Sequence, residues 1–254
     1  MKWILLRGLT RESRHWGEFP KILVEEQVAE AAYSIDAPGS GLKNDQISPF
    51  DIASYVKYMR PEFQMLRRQH PGPWAVLGIS MGAMIAMKWI EMYPQDFANG
   101  VFINTSASNF SSPLKRMSLP TIKSIAGLFF NKSLEDREKF VYQMTTHLES
   151  SNELSKVAEW VKIARENPIS KMSFVAQLLA AARFKAPKSL TVPTLFLVSE
   201  KDQLADSDCG KKLAKHFRSH LELHPQAGHD LPLDDPKWIC EKIKQFLVDQ
   251  SNHH

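Results

Sequence analysis

A chain of 254 residues with 43% hydrophobic composition can bury one large core, and α/β proteins of this length commonly form a single domain. Its 32 Lys and Arg are spread among 28 Asp and Glu, leaving a net charge of +4 without any long basic block, so nucleic acid is not an expected partner. The N-terminal apolar run, Trp3 to Leu6, is too short for an export signal, and nothing later approaches the roughly 18 uninterrupted apolar residues that span a bilayer. A soluble, cytoplasmic protein without stable membrane insertion is therefore expected. Cys209 and Cys240 stand far apart with no CxxC pairing, which suggests ordinary reduced thiols and neither a disulfide framework nor a metal site.

Short β-rich apolar runs alternate with segments of helical period, the pattern of βαβ units and a mostly parallel sheet with helices on both faces. Six strands are predicted: Lys2 to Arg7, Ala31 to Asp36, Trp74 to Ile79, Gly100 to Asn104, Thr194 to Ser199 and Leu221 to His224. Ser48-Pro49 is the expected start of a helix carrying Ile52, Val56, Met59, Phe63 and Leu66 at helical period, with Pro61 expected to kink or divide it. Met81 to Met92 reads as a helix ended by Tyr93-Pro94. The last helix opens at Asp235-Pro236 and buries Trp238, Ile239, Ile243 and Phe246.

One stretch breaks the alternation. Leu114 to Phe130, Leu134 to Leu148, Glu153 to Arg165 and Ser170 to Phe184 all carry helical patterning, with no convincing strand between them. About eighty residues of helix is too long for an ordinary crossover. The expected organisation is a core of residues 1–107 and 189–254 with an inserted helical cap at 108–188.

The chemistry concentrates at strand ends. Gly78-Ile79-Ser80-Met81-Gly82 lies between a strand and a helix, the context in which Gly-x-Ser-x-Gly makes a nucleophile elbow, and side chains at 78 and 82 would collide with neighbouring backbone. A hydroxyl is nearly inert near neutral pH, so Ser80 needs a base within hydrogen-bond reach, and the base needs a partner to fix its tautomer. The strand Thr194 to Ser199 delivers Asp202, and the last strand leads into Gly228-His229-Asp230. Both segments follow the carboxyl end of a strand, where active sites of open α/β sheets collect. His229 is the candidate base and Asp202 the orienting acid. Asp206 and Asp208 are better suited to opening the next helix. His15, His70, His147, His216 and His220 fall in polar segments and read as solvated, like His253 and His254 at the end.

With these motifs the chain resembles the α/β-hydrolase superfamily, in its cap-bearing serine esterase-like branch that includes pimeloyl-carrier-protein methyl ester esterases. The likeness covers nearly the whole chain: Arg7-Gly8-Leu9 after the first strand, Asp36-Ala37-Pro38-Gly39-Ser40-Gly41 after the second, the elbow, and Gly228-His229-Asp230. The order Ser80, Asp202, His229 is that of the family. The resemblance implies an oxyanion hole made by the backbone N–H groups of Leu9 and Met81, and a serine hydrolase cleaving a carboxylic ester or thioester with no cofactor. A C–C bond or amide hydrolase with the same triad, or a small-molecule receptor on the same fold, remains open. Three departures stand out: Arg7 where the family usually has His, Ala83 where it usually has a second Gly, and missing extra N-terminal strands. Arg7 has two readings, a tie to loop carbonyls or, with Arg11 and Arg14, a source of positive potential favouring anionic substrates. Asp36, Gly39 and Gly41 are expected to shape a loop.

Overall fold

A computed structural model describes residues 1–117, 133–147 and 153–252. Among them six strands, β1 (Lys2–Leu6), β2 (Ala31–Ser34), β3 (Trp74–Ile79), β4 (Asn99–Ile103), β5 (Thr194–Ser199) and β6 (His220–His224), form one sheet in the order β2-β1-β3-β4-β5-β6. Every pairing is parallel. β1, β3, β4 and β5 are buried along their whole length, which is why they read as continuous apolar runs rather than alternating ones.

The pleat sends alternate side chains into two cores. Ile4, Leu6, Val76, Phe102 and Phe196 join Tyr55, Met59 and Phe63 of α2 (Ile52–Gln69) and Trp89 of α3 (Met81–Met92) on one face. Trp3, Leu5, Leu77, Val101 and Leu197 meet Phe19 and Leu23 of α1 (Phe19–Glu25) and Ile239, Ile243 and Phe246 of α10 (Pro236–Asn252) on the other. Between β5 and β6 runs α8 (Asp208–Phe217), and α9 (Leu231–Asp234) precedes α10.

Two local expectations change. α2 is capped by Asp51, whose carboxylate accepts from the Ser54 N–H at 2.9 Å, while Ser48 is buried and its hydroxyl donates to the Pro38 carbonyl. Pro61 does not divide the helix, which runs unbroken from Ile52 to Gln69. The buried Tyr55, Val56, Met59 and Phe63 straddle the proline, so core packing outweighs one lost backbone hydrogen bond.

Between β4 and β5 the described residues contain α4 (Pro113–Arg116), α5 (Leu134–Thr145), α6 (Glu153–Glu166) and α7 (Lys171–Arg183), and no strand. Of the helix expected over Leu114 to Phe130, only the turn α4 falls within the described residues; Leu148 likewise lies outside them. These helices are fastened to the loops that leave the carboxyl ends of the strands. The Asp230 N–H donates to the Thr145 carbonyl at 2.8 Å, Arg11 pairs with Glu138 at 2.5 Å, and the Thr10 N–H donates to Gln177 Oε1 at 2.8 Å.

Candidate active site

The chain order reverses direction across the sheet between β1 and β3, which creates a crevice at their carboxyl ends. Gly8 and Ser80 follow those two strands. Ser80 has φ 56° and ψ −119°, a backbone that costs a residue with a Cβ about 1–3 kcal/mol. The surroundings hold it there: its N–H donates to the Ile103 carbonyl at 2.9 Å and its carbonyl accepts from Thr105 Oγ1 at 3.0 Å. Close backbone approach explains the flanking glycines. A Cβ on Gly82 would stand 2.0 Å from the Leu6 carbonyl oxygen, and one on Gly78 would stand 2.5 Å from the Gly82 carbonyl carbon.

Asp202 and His229 meet. His229 Nδ1 lies 2.6 Å from Asp202 Oδ2, with side-chain exposures of 9% and 2%. The other oxygen, Oδ1, accepts from the N–H groups of Leu204 and Ala205, so the carboxylate is fixed from both ends. Burial is the largest influence on the His229 pKa and pulls it down, but the charge and hydrogen bond of Asp202, with Asp230 adding, leave it above its ordinary value. The same carboxylate keeps the Nδ1 proton in place and leaves Nε2 as the basic nitrogen.

Asn104, just past β4, locks this loop. Its Nδ2 donates to the His229 carbonyl at 2.9 Å, to the Gly228 carbonyl at 3.3 Å and to Ser199 Oγ at 3.0 Å, and its Oδ1 accepts from the Ser199 N–H. Nothing local in the sequence marks Asn104 for this role. An amide serves the geometry, because it both donates and accepts.

The Gly8–Leu9 loop passes close beside Ser80: a Cβ on Gly8 would stand 3.1 Å from Ser80 Cβ and 3.7 Å from Ser80 Oγ. Met81 opens α3, where the first N–H groups have no intrahelical acceptor. Arg7 makes a bidentate pair with Asp230 at 3.0 and 2.6 Å and lies over the Trp16 ring at 4.8 Å. It holds a carboxylate instead of loop carbonyls, and its charge is neutralised. Arg11 is taken by Glu138 and Arg14 by Glu12 and Glu166, so these three arginines are not a free positive cluster. His15 is buried, against the solvated reading. It sits 3.0 Å from Arg11 and against Trp160, and burial and then the neighbouring Arg11 push its pKa well below the ordinary value. Asp36 behaves as expected, accepting from Ser13 and Leu42, with Gly39 and Gly41 at positive φ. Asp208 opens α8, and its N–H donates to Asp206.

Ser80, His229, Leu9 and Met81 all line one cavity of about 480 Å³, a size suited to a small-molecule ligand. Its wall is largely apolar and draws on α5, α6 and α7 through Val141, Ile163, Phe174 and Leu178. Among the described residues no group of three or more His, Cys, Asp or Glu could hold a metal ion, and no helix is long and apolar enough to cross a membrane.

A parallel sheet wound on both faces, with a strained serine over its switch point, is the architecture of the α/β hydrolases. The family model described as serine aminopeptidase, S33, matches residues 3–236, and the chain belongs to that hydrolase family. It is 26% identical over 231 residues, 87% of this chain and 67% of the relative, to the alpha/beta hydrolase domain-containing protein VTE7 of Arabidopsis thaliana. Among solved structures it is similar to the thermophilic esterase of Thermogutta terrifontis, with TM-score 0.72, 18% identity and 98% and 90% of the two chains covered. It is also similar to the non-heme bromoperoxidase BpoC of Mycobacterium tuberculosis H37Rv, with TM-score 0.75, 17% identity and 98% and 92% covered. At these identities the solved structures speak to the fold alone.

Proposed function

We propose that this hydrolase cleaves a carboxylic ester or thioester through an acyl-enzyme on Ser80. The observation that carries the reading is the meeting, on one cavity, of a serine held at φ 56° and a histidine bonded through Nδ1 to a buried carboxylate. Ser80 Oγ attacks the carbonyl carbon while its proton passes to His229 Nε2, and Asp202 stabilises the imidazolium. The N–H groups of Leu9 and Met81 hold the oxyanion; losing one such donor typically costs about 3 kcal/mol of barrier. Collapse expels the alkoxide or thiolate, which takes the proton from His229. Water then enters by the same route, giving up a proton to His229, which passes it to Ser80 Oγ as the acid is released. No metal or organic cofactor takes part. In this reading the described helices α4 to α7 form a cap over the strand ends, since α5 and α7 are tied to the loops that bear His229 and Leu9.

The cavity also argues for an ester over a peptide with a free amino terminus, despite the family's description. An α-ammonium needs an uncommitted carboxylate. Of the carboxylates lining the cavity among the described residues, Glu12 is held by Arg14 and Asn167, Glu138 by Arg11 and Arg137 and Asp230 by Arg7.

A fluorophosphonate probe tests the assignment. The folded protein should be labelled on Ser80, and Ser80→Ala should lose both labelling and turnover, by around 10⁴-fold or more. Refusal to label, or ordinary activity in Ser80→Ala, would refute the serine mechanism.

A further inference from the structure

Of the charged groups lining the cavity, Arg7, Arg11, Glu12, Arg137, Glu138 and Asp230 all have oppositely charged partners. Arg116, at the end of α4, does not: among the described residues its partners are neutral oxygens. Its Nε donates to Ser106 Oγ at 3.2 Å, and its terminal nitrogens donate to the Ala182 and Ala181 carbonyls at 2.6 and 2.5 Å. Those two carbonyls belong to the last turn of α7, where a cation is favoured. Ser106, Ala181 and Ala182 line the cavity with it. Capping therefore explains three of the five N–H groups a guanidinium carries, and leaves one on each terminal nitrogen.

We propose that Arg116 is the subsite for a carboxylate carried on the acyl chain of the substrate, so that the preferred substrates are half-esters or half-thioesters of dicarboxylic acids. This rests on the ester reading of the site. Three observations converge on it. The guanidinium is already oriented on three sides, so little freedom is lost when an anion arrives. It is half-buried, and that burial holds its pKa below the ordinary value, a cost that a bound carboxylate relieves. The wall around it is apolar, with Met117, Ala181 and Ala182 beside it, so a charge-assisted pair formed there is poorly screened. The methylenes between the two carboxyl groups would lie along that wall.

The test uses 4-nitrophenyl half-esters of succinic, glutaric, adipic and suberic acids, each against the same ester with its far carboxyl methylated. Graded length is needed because the span from Ser80 to Arg116 must be matched. For at least one length the wild type should favour the free acid in kcat/KM by about tenfold or more. Arg116→Gln should abolish that ratio, and R116K, which keeps the charge but loses the fork, should keep part of it. A second arm dispenses with turnover: in Ser80→Ala, titration calorimetry should find monomethyl adipate bound more tightly than dimethyl adipate, and equally once Arg116→Gln is added. This arm separates the two ideas, because an anion preference in calorimetry survives even if Ser80 is not the nucleophile. Labelling and turnover without any preference at any length would overturn the subsite and leave the serine mechanism standing. An Arg116→Gln protein that melts lower and loses both esters equally would also overturn it, leaving only a tie to the end of α7.

Discussion

Arg7 and Asp230 flank the two loops on which the proposed chemistry depends: Arg7 precedes Gly8-Leu9, and Asp230 follows His229. With side-chain exposures of 7% and 5%, either charge is left poorly solvated if its partner is removed. Arg7→Gln or Asp230→Asn strands the other group, and breaking a buried pair on one side typically costs about 3–5 kcal/mol. In a protein of this size each kcal/mol lowers the melting temperature by roughly 2–4 °C, so each single variant should melt roughly 6–20 °C lower. The double variant Arg7→Gln/Asp230→Asn strands no charge and should lose far less than the sum. Thermal melts of the four proteins, with kcat/KM on a neutral ester at a temperature where all are folded, give the cycle. Activity should follow the same coupling, because the pair ties the loop of His229, the proposed base, to that of Leu9, the proposed oxyanion donor. Additive losses would refute the clamp. So would an unshifted melt in Arg7→Gln together with a selective, salt-sensitive loss on anionic esters, which would mean that Arg7 projects its charge into the cavity.

The raised His229 pKa has a sign that a rate profile can read. Only neutral imidazole is a base, so kcat/KM should fall as pH drops through a midpoint above 6.5; Asp202→Asn should move the midpoint down while slowing the reaction, and a wild-type midpoint at or below 6.5 would contradict the Asp202 effect. Gly82→Ala puts a methyl 2.0 Å from the Leu6 carbonyl oxygen, and should yield no stably folded protein in circular dichroism melts; a normal melt would show that β1 can move away. With simple alkanoyl esters, each added methylene that is buried should improve kcat/KM by about fourfold, from about 0.8 kcal/mol per CH₂, until the cavity is full, whereas an acetyl ester turned over as well as longer ones would rule out an apolar acyl wall.

The parts of the molecule legible in the sequence are those whose determinants are local. Four of the strands are buried on both faces, so each announces itself as an apolar run, and Ser80 sits between glycines that backbone contact forbids to be anything else. The meeting of Asp202 with His229 has a local trace too, since each lies in the loop that follows a strand, β5 or β6. What stayed hidden depends on partners far along the chain. His15 looks solvated among Arg11, Glu12 and Arg14, yet Trp160 packs against its ring and Glu138, 127 residues beyond Arg11, ties down that neighbour. The fate of Arg7 was settled by a carboxylate 223 residues away. Asn104 and Arg116 are ordinary polar residues until the ends of β5, β6 and α7 are brought beside them. Among the aromatic residues between β4 and β5, Phe174 lines the cavity and Trp160 is spent on Arg11, which only the packed helices reveal.

The sheet order sets a timetable for refolding. β3 and β4 pair across a connection of roughly 20 residues, whereas β4 and β5 pair across roughly 90, and loop closure over the longer span costs about 1.3 kcal/mol more. Strands β1 to β4 can therefore assemble as a unit that already contains the serine turn, while the strands that deliver Asp202 and His229 must wait for the long closure. Burial of Trp3, Trp74 and Trp89 should be seen early in tryptophan fluorescence after dilution from denaturant. Catalytic competence should return only in the slowest phase, when Asn104 finds the carbonyl of His229.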